Sequence, residues 1–160
     1  MTLRPPLLLA AAMLAGCSNV PPAETATTSR PMIEQVETTR DGTSKAATVD
    51  SYKADLAQRI YAVNSTQVYT TRPQALLRSV VVINYVVDSG GNLVHSEIAR
   101  SNHDRSTEAT ALATLRKSAP FPKPSPHLLR NGRLEMHESW LFNNDGRFQL
   151  RSLALVQMDE

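Results

Sequence analysis

The sequence predicts an α+β domain in which an antiparallel sheet of three to four strands carries two helices on one face. Three observations favour this class: an apolar stripe at helical spacing near residue 56, a β-branched run near residue 83 that ends in a glycine turn, and an alternation of apolar and polar residues near residue 138. The resulting order is helix, strand, strand, helix, strand, strand, which one sheet covered by two helices accommodates. We expect this domain to occupy residues 49–156.

The first helix is predicted from its apolar stripe. The apolar positions recur at spacings of four, four and three: Tyr52, Leu56, Ile60 and Val63. This spacing places all of them on one face of an α-helix. Asp50 or Ser51 is the expected N-cap, because either side chain can accept a hydrogen bond from a free backbone N–H. We expect the helix to end near Asn64.

The next two elements are predicted to form a β-hairpin. Residues 80–87 are rich in β-branched side chains, which favour a strand over a helix. Residues 88–92 include Gly90 and Gly91, and glycine supplies the positive φ that a tight hairpin turn needs. Residues 93–99 then form the returning strand. Because the first strand is apolar on both faces, we expect it to be central in its sheet or covered on both sides.

A second helix is predicted at residues 108–117, with Asp104 as the best-placed cap. The side chains expected to face the core are Ala111, Leu112 and Leu115. Four prolines follow within residues 120–126. Because proline removes a backbone donor and fixes φ, this segment ends the helix and forms an extended connection.

Two further strands are predicted after the prolines. Along residues 133–142 one face carries Leu134, Met136, Trp140 and Phe142. The opposite face carries Glu135, His137 and Ser139. This alternation is typical of a half-buried strand. Residues 143–146, Asn-Asn-Asp-Gly, form a turn, and residues 148–156 are expected to return as the last strand.

The first sixteen residues have the pattern of a secretory signal. Arg4 supplies a positive charge, residues 7–14 are apolar, and two small residues then precede Cys17. The apolar run is far shorter than the ~20 residues of a membrane-spanning helix. We therefore expect residues 1–16 to direct export and to be removed.

The end of this signal resembles the lipobox of bacterial lipoproteins, through Leu14-Ala15-Gly16 followed by Cys17, the only cysteine of the chain. The resemblance implies that the mature chain begins at Cys17, which carries a diacylglycerol and acyl chains such as palmitate. Two or more chains hold a protein stably on a membrane. Ser18 stands where an aspartate would signal inner-membrane retention, so the resemblance implies the outer membrane, facing the periplasm. The alternative is an ordinary signal peptide with an incidental cysteine.

Residues 17–48 are predicted to be a flexible linker. Threonine, serine, alanine, proline and charged residues dominate, and the few apolar residues show no helical or strand period. Such a stretch buries too little apolar surface to offset the entropy of ordering it. The alternative is a short docked element built from Met32, Ile33 and Val36.

The chain contains histidines and serines, which are used in catalysis and metal binding, but they do not occur at the spacings that known catalytic or metal-binding motifs have. The histidines are His95, His103, His127 and His137. None forms an H-E-x-x-H motif, and neither a G-x-S-x-G elbow nor a P-loop occurs. We expect no catalytic residues, metal or cofactor, and no enzymatic activity. With 17 basic and 15 acidic residues and no basic block, the chain also lacks the charge that nucleic-acid binding requires.

An ordered set of features covers residues 50–155 and carries a family resemblance. The features are Pro73, Ala75, the valine-rich residues 80–87, the D-x-x-G turn at residues 88–91, Ile98, Ser101 and the Pro-Phe-Pro step at residues 120–122. This combination resembles the TonB C-terminal domain family, with the periplasmic domain of TolA as a more distant relative.

The resemblance implies a protein-binding domain. Members of the family add a short peptide segment of an outer-membrane transporter to an exposed sheet edge. This chain carries a lipid anchor where TonB has an inner-membrane helix and a long spacer, so energy transduction is not implied. We predict that it engages a TonB-dependent transporter or another envelope protein, in transport or its regulation. The alternative is a structural or assembly lipoprotein that uses the same fold.

The last strand is the predicted partner-binding edge. Its residues are Phe148, Gln149, Leu150, Arg151, Ser152 and Leu153. Two alternatives stay open for an edge strand of this kind: it pairs with a second copy in a homodimer, or it is capped within its own chain.

Overall fold

The secondary structure follows the predicted order of helices and strands. The computed structural model describes residues 35–155. Its helices are α1 at Val49–Val63 and α2 at Arg105–Ser118, with a 3-10 turn at Pro126–Leu128. Its strands are β1 at Ser79–Asp88, β2 at Leu93–Arg100, β3 at Arg133–Phe142 and β4 at Phe148–Leu150. The predicted α+β class, with two helices and an antiparallel sheet, is confirmed.

The four strands form one antiparallel sheet in the order β2-β1-β3-β4. The central pair, β1 and β3, is in register along its whole length, with Val81 opposite Trp140 and Tyr85 opposite Met136. The prediction that β1 is central is therefore confirmed. The two edges of the sheet are β2 and β4.

Both helices pack on the same face of the sheet. Along β1, Val81 and Ile83 are fully buried, whereas Val80 on the opposite face is 39% exposed. The helical core side chains are Tyr52, Leu56, Ala57, Ile60 and Tyr61 from α1 and Ala111 and Leu115 from α2. The Trp140 indole N–H donates to the Thr114 hydroxyl at 3.1 Å, which joins β3 to α2. Burial of each large apolar side chain contributes about 1.5–3 kcal/mol.

The helix caps agree with the sequence for α2 and differ for α1. Asp104 caps α2 by accepting hydrogen bonds from the Ser106 and Thr107 N–H groups at 3.0 and 3.3 Å. The predicted cap of α1, Asp50 or Ser51, is wrong, because the cap is Thr48. Thr48 accepts from the Ser51 N–H at 3.1 Å, and the Ser51 hydroxyl accepts from the Thr48 N–H at 3.0 Å. This reciprocal capping box begins the helix earlier than expected.

The last strand is shorter than predicted. Pairing with β3 ends at Leu150, and the chain then turns, with the Leu153 N–H donating to the Leu150 carbonyl at 3.0 Å. Residues 151–153 are therefore a turn and not part of a strand. Val156, the predicted end of the strand, lies outside the described residues.

Residues 35–48, which belong to the predicted linker, are hydrogen-bonded to the rest of the domain. The Ser44 N–H donates to the Lys123 carbonyl and the Lys123 N–H donates to the Gly42 carbonyl, both at 2.9 Å. Val36 is half-buried. The part of the predicted linker that the structure describes thus lies on the proline-rich segment of the domain. Met32 and Ile33 lie outside the described residues.

Candidate partner-binding edge

The predicted binding edge, β4, is occupied on both sides. One side pairs with β3, with Trp140 opposite Leu150. On the other side the Phe148 N–H donates to the Gln67 carbonyl at 2.9 Å, and the Tyr69 N–H donates to the Phe148 carbonyl at 3.1 Å. Residues 67–69 therefore run alongside β4 like a further short strand. They use the backbone groups that an incoming peptide would need.

Side chains reinforce this cover. The Gln149 amide donates to the Tyr69 carbonyl at 2.9 Å and also to the Thr71 carbonyl. The Leu150 N–H donates to the Tyr61 hydroxyl at 2.9 Å. Burial raises the pKa of Tyr69 to about 12 and raises that of Tyr61 further, so both hydroxyls keep their protons at neutral pH. We call residues 61–71 the β4 cover.

The six residues predicted to bind a partner have different environments. Phe148, Gln149 and Leu150 are buried, Arg151 is exposed, and Ser152 and Leu153 are half-buried. Partner binding by these residues stays a prediction. Strand addition at β4 would require the β4 cover to leave its place first.

The other edge, β2, is open. Within residues 35–155, β2 pairs only with β1, and no backbone hydrogen bond joins residues 93–100 to any segment outside the hairpin. The strand is eight residues long. Its outer row of backbone N–H and C=O groups is therefore available for pairing with another chain.

Two β-bulges delimit the usable part of this edge. The pairing of β2 with β1 shifts register at each end, which leaves Val94 and Ala99 without a partner on β1. Between the bulges, residues 95–98 pair regularly with residues 83–86. Bulges bend the edge and increase its local twist. The regular edge open to a partner is thus short and centred on residues 95–98.

The hairpin turn that leads into β2 is fixed by Asp88. Its carboxylate accepts hydrogen bonds from the Gly90 and Asn92 N–H groups, each at 2.9 Å. The Asn92 side chain also donates to this carboxylate at 3.0 Å, and it is the main reason that the pKa of Asp88 is lowered. The start of β2 is therefore held in place by the turn.

The side chains of β2 divide between the two faces of the sheet. His95 and Glu97 are on the face opposite the helices, about 60% exposed, with Nε2 and Oε2 separated by 3.6 Å. Ser96 and Ile98 point to the helix side and are half-buried. Val94 is 46% exposed. A segment that pairs with β2 would thus meet an imidazole and a carboxylate on one face and small or apolar groups on the other.

The face opposite the helices holds a shallow depression of about 500 Å3. Its lining includes two histidines and two glutamates: His95, Glu97, Glu135 and His137. In the part of the chain that the structure describes, no three histidine, cysteine or acidic side chains are placed to hold a metal ion. The depression therefore offers polar contacts next to the open edge.

Glu138 is a buried acidic residue whose position on the core face the sequence analysis does not state. It is 1% exposed and lies on the core face of β3. Its Oε1 accepts from the Ser139 N–H at 2.7 Å, and its Oε2 has no hydrogen-bond partner among the described residues. The signal was available, because strand alternation places position 138 with Met136 and Trp140. Sealed from solvent, this carboxyl has no access to a substrate.

The predicted lipid anchor, Cys17, lies outside the described residues, so lipidation stays a prediction. Among residues 35–155, no helix has the length and apolar character needed to cross a bilayer.

Comparison with known proteins finds no match to a family model, a curated protein or a solved structure. The assignment to the TonB C-terminal domain family stays a prediction from the residues.

Proposed function

We propose that this chain is a periplasm-facing lipoprotein with a TonB C-terminal-like protein-binding domain. Cys17 holds it on the outer membrane through acyl chains. The domain binds an extended segment of an outer-membrane transporter or of another envelope protein. The single observation that supports this function most directly is the open edge of β2, whose outer backbone groups have no partner within the described residues.

Strand addition at β2 supplies affinity from the backbone. An extended segment that lies along residues 95–98 satisfies the outer N–H and C=O groups of the strand, as in other cases of β-augmentation. These groups are already held in extended geometry by pairing with β1 along the regular register. The partner alone then loses conformational entropy on binding, which favours association.

Side chains beside the edge supply specificity. His95 and Glu97 contact one face of the incoming segment, and Ile98 contacts the other. The bulges at Val94 and Ala99 limit regular pairing to a few residues. A short partner segment with alternating polar and apolar side chains fits this edge. The proposed activity is binding, and it includes no catalytic step.

Partner binding is thus proposed at β2, whereas the sequence predicts it at β4. β4 is already paired with the β4 cover, and its residues Phe148 to Leu150 are buried. β2 has the length, exposure and free backbone groups that the sequence-based prediction assigned to the last strand.

In-cell photocrosslinking tests this function. A photoreactive amino acid replaces Glu97 on β2 in one variant and Glu135 on β3 in a matched control. Both side chains are exposed on the same face of the sheet, but Glu135 lies on a strand that is paired on both sides. We expect Glu97 to give an adduct with an envelope protein that Glu135 does not give, identified by mass spectrometry.

The identity of the adduct decides between the proposed roles. An adduct with the periplasmic segment of a transporter supports a role in TonB-type transport. An adduct with an envelope scaffold protein supports the structural role. Equal adducts from Glu97 and Glu135, or adducts from Gln149 on β4 alone, would contradict binding at the β2 edge.

A further inference from the structure

The chemical character of β2 is symmetric about Ser96. Moving outward from this residue, His95 and Glu97 are a hydrogen-bonding imidazole and an acceptor carboxylate, and Val94 and Ile98 are apolar. His95 and Glu97 are both about 60% exposed and lie on the same face of the sheet. The strand therefore carries a pattern that is complementary to itself when it is reversed.

Antiparallel pairing of two identical strands follows twofold symmetry. The residue on the axis faces its own copy, and each residue before the axis faces the residue equally far after it. With Ser96 on the axis, His95 of each copy faces Glu97 of the other. Directly opposed side chains in an antiparallel pair are neighbours and interact.

We infer that β2 pairs with β2 of a second copy of this chain, antiparallel and centred on Ser96. The two sheets then join into one continuous sheet through their open edges. Each imidazole lies beside a carboxylate of the other copy. It donates a hydrogen bond to that carboxylate when it is neutral and forms an ion pair with it when it is protonated. The small side chain of Ser96 lets the backbones approach at the axis.

In the neighbouring registers, the side chains that face each other across the axis interact less favourably. If the axis passes through Glu97, the two Glu97 carboxylates face each other, and like charges directly opposite are destabilising. If it passes through His95, neither imidazole faces a carboxylate. The centre at Ser96 is the register that pairs both imidazoles and both carboxylates. It lies inside the regular stretch between the two bulges.

This dimer closes the edge that a partner segment would use. The consequence for partner binding rests on the proposed function, because the second copy and the partner compete for the same backbone groups of residues 95–98. Dissociation of the dimer then precedes binding. The dimer itself is argued from the strand alone and does not depend on the partner.

Disulfide trapping tests the register. The parent chain carries Cys17→Ser, so that an introduced cysteine is its only thiol. Ser96→Cys places two thiols directly opposite each other across the axis, at the ~4.5–5.5 Å Cβ separation of opposed residues. The matched control is Val94→Cys, which is more exposed than position 96 but is far from its own copy in this register.

We expect Ser96→Cys to form a disulfide-linked dimer under mild oxidation and Val94→Cys to form no disulfide link. Random collision would favour the more exposed position, so equal or greater trapping at Val94 would overturn the proposal. Absence of trapping at Ser96 in a folded chain, shown by an unchanged thermal melt, would overturn it as well.

Charge exchange gives a second test by sedimentation equilibrium. His95→Glu places four carboxylates around the axis and weakens the dimer about tenfold, since two favourable pairs become repulsive. Adding Glu97→His to that variant restores the complementary pattern and the dimer. No rescue by the double variant would contradict the assigned pairs.

A dimer without any photocrosslinked partner would overturn the proposed function alone, and a partner without a dimer would overturn this inference alone.

Discussion

At the scale of single residues, Gly91 is the position in the β1–β2 turn that tolerates no side chain. Its φ is +83°, a conformation that L-residues rarely adopt, and a Cβ there would collide with the Phe121 carbonyl oxygen. The Phe121 N–H also donates to the Gly91 carbonyl at 2.8 Å. The turn therefore packs directly on the proline-rich segment, which requires glycine.

Gly91→Ala is expected to lower the free energy of unfolding by about 3 kcal/mol, because it combines a left-handed backbone with a backbone clash. Gly90→Ala is the matched control, since its Cβ would meet only the Asn92 and Asp88 side chains, which can move. We expect the control to cost less than about 1 kcal/mol. Urea unfolding measures both, and equal losses would contradict this account of the turn.

Asp104 makes the stability of the fold depend on pH. Its hydrogen bond with the Arg78 guanidinium, at 2.8 Å, is the main reason that its pKa lies below the ordinary 3.8. A carboxyl with a lowered folded-state pKa contributes stability above its unfolded-state pKa and loses that contribution as the pH falls through the folded-state pKa. The contribution is therefore complete at neutral pH and is lost in acid.

Asp104→Asn is expected to lower the melting temperature at pH 7 while keeping the helix cap, because asparagine caps helices as well as aspartate. The difference from the parent chain should shrink by about pH 3 and vanish in stronger acid, as Asp104 in the parent chain is protonated. Thermal melts across this range measure it. A difference that does not change with pH would show that the cap, and not the charge, is responsible.

At the scale of elements, β4 is short and owes its position to the β4 cover. The buried Leu150 N–H has the Tyr61 hydroxyl of α1 as its acceptor, at 2.9 Å. A buried donor that loses its partner costs more than an ordinary hydrogen bond contributes. Tyr61 thus links α1 to the end of the sheet.

Tyr61→Phe is expected to destabilise the domain by about 1–3 kcal/mol, because it leaves the Leu150 N–H without an acceptor. Tyr69→Phe is the comparison, since the Tyr69 hydroxyl is the donor to the Leu141 carbonyl at 3.2 Å and its loss leaves no N–H group unpaired. We expect this second change to cost about 1 kcal/mol or less. Chemical unfolding of both variants measures the difference, and a larger loss for Tyr69→Phe would contradict this role of Tyr61.

The elements that the sequence predicts well are those with a local period. The stripe of α1 and the alternation of β3 depend on residues a few positions apart, so the pattern is visible without the fold. The predicted N-caps of α1, Asp50 and Ser51, are wrong because Thr48 is the N-cap and forms reciprocal hydrogen bonds with Ser51. Which of several adjacent polar residues becomes the N-cap depends on which backbone N–H groups of the first turn are still without an acceptor.

At the scale of the whole molecule, the sheet has one covered edge and one open edge. The cover of β4 could not be predicted, because residues 65–71 show no period and contact β4 from far along the chain. Docking of residues 35–48 was only the alternative to a flexible linker, since it depends on backbone hydrogen bonds to residue 123. Which of the two edges stays open depends on where such long-range contacts form, and only the structure shows that the open edge is β2.

Amide hydrogen exchange of the His95→Glu variant, at a concentration where it is monomeric, tests the central claim most directly, because this change weakens dimer pairing at β2. The account predicts fast exchange at the β2 amides that point away from β1 and slow exchange at Phe148 and Leu150 of β4. Slow exchange throughout β2, together with fast exchange at Phe148 and Leu150, would contradict it and return the binding edge to β4.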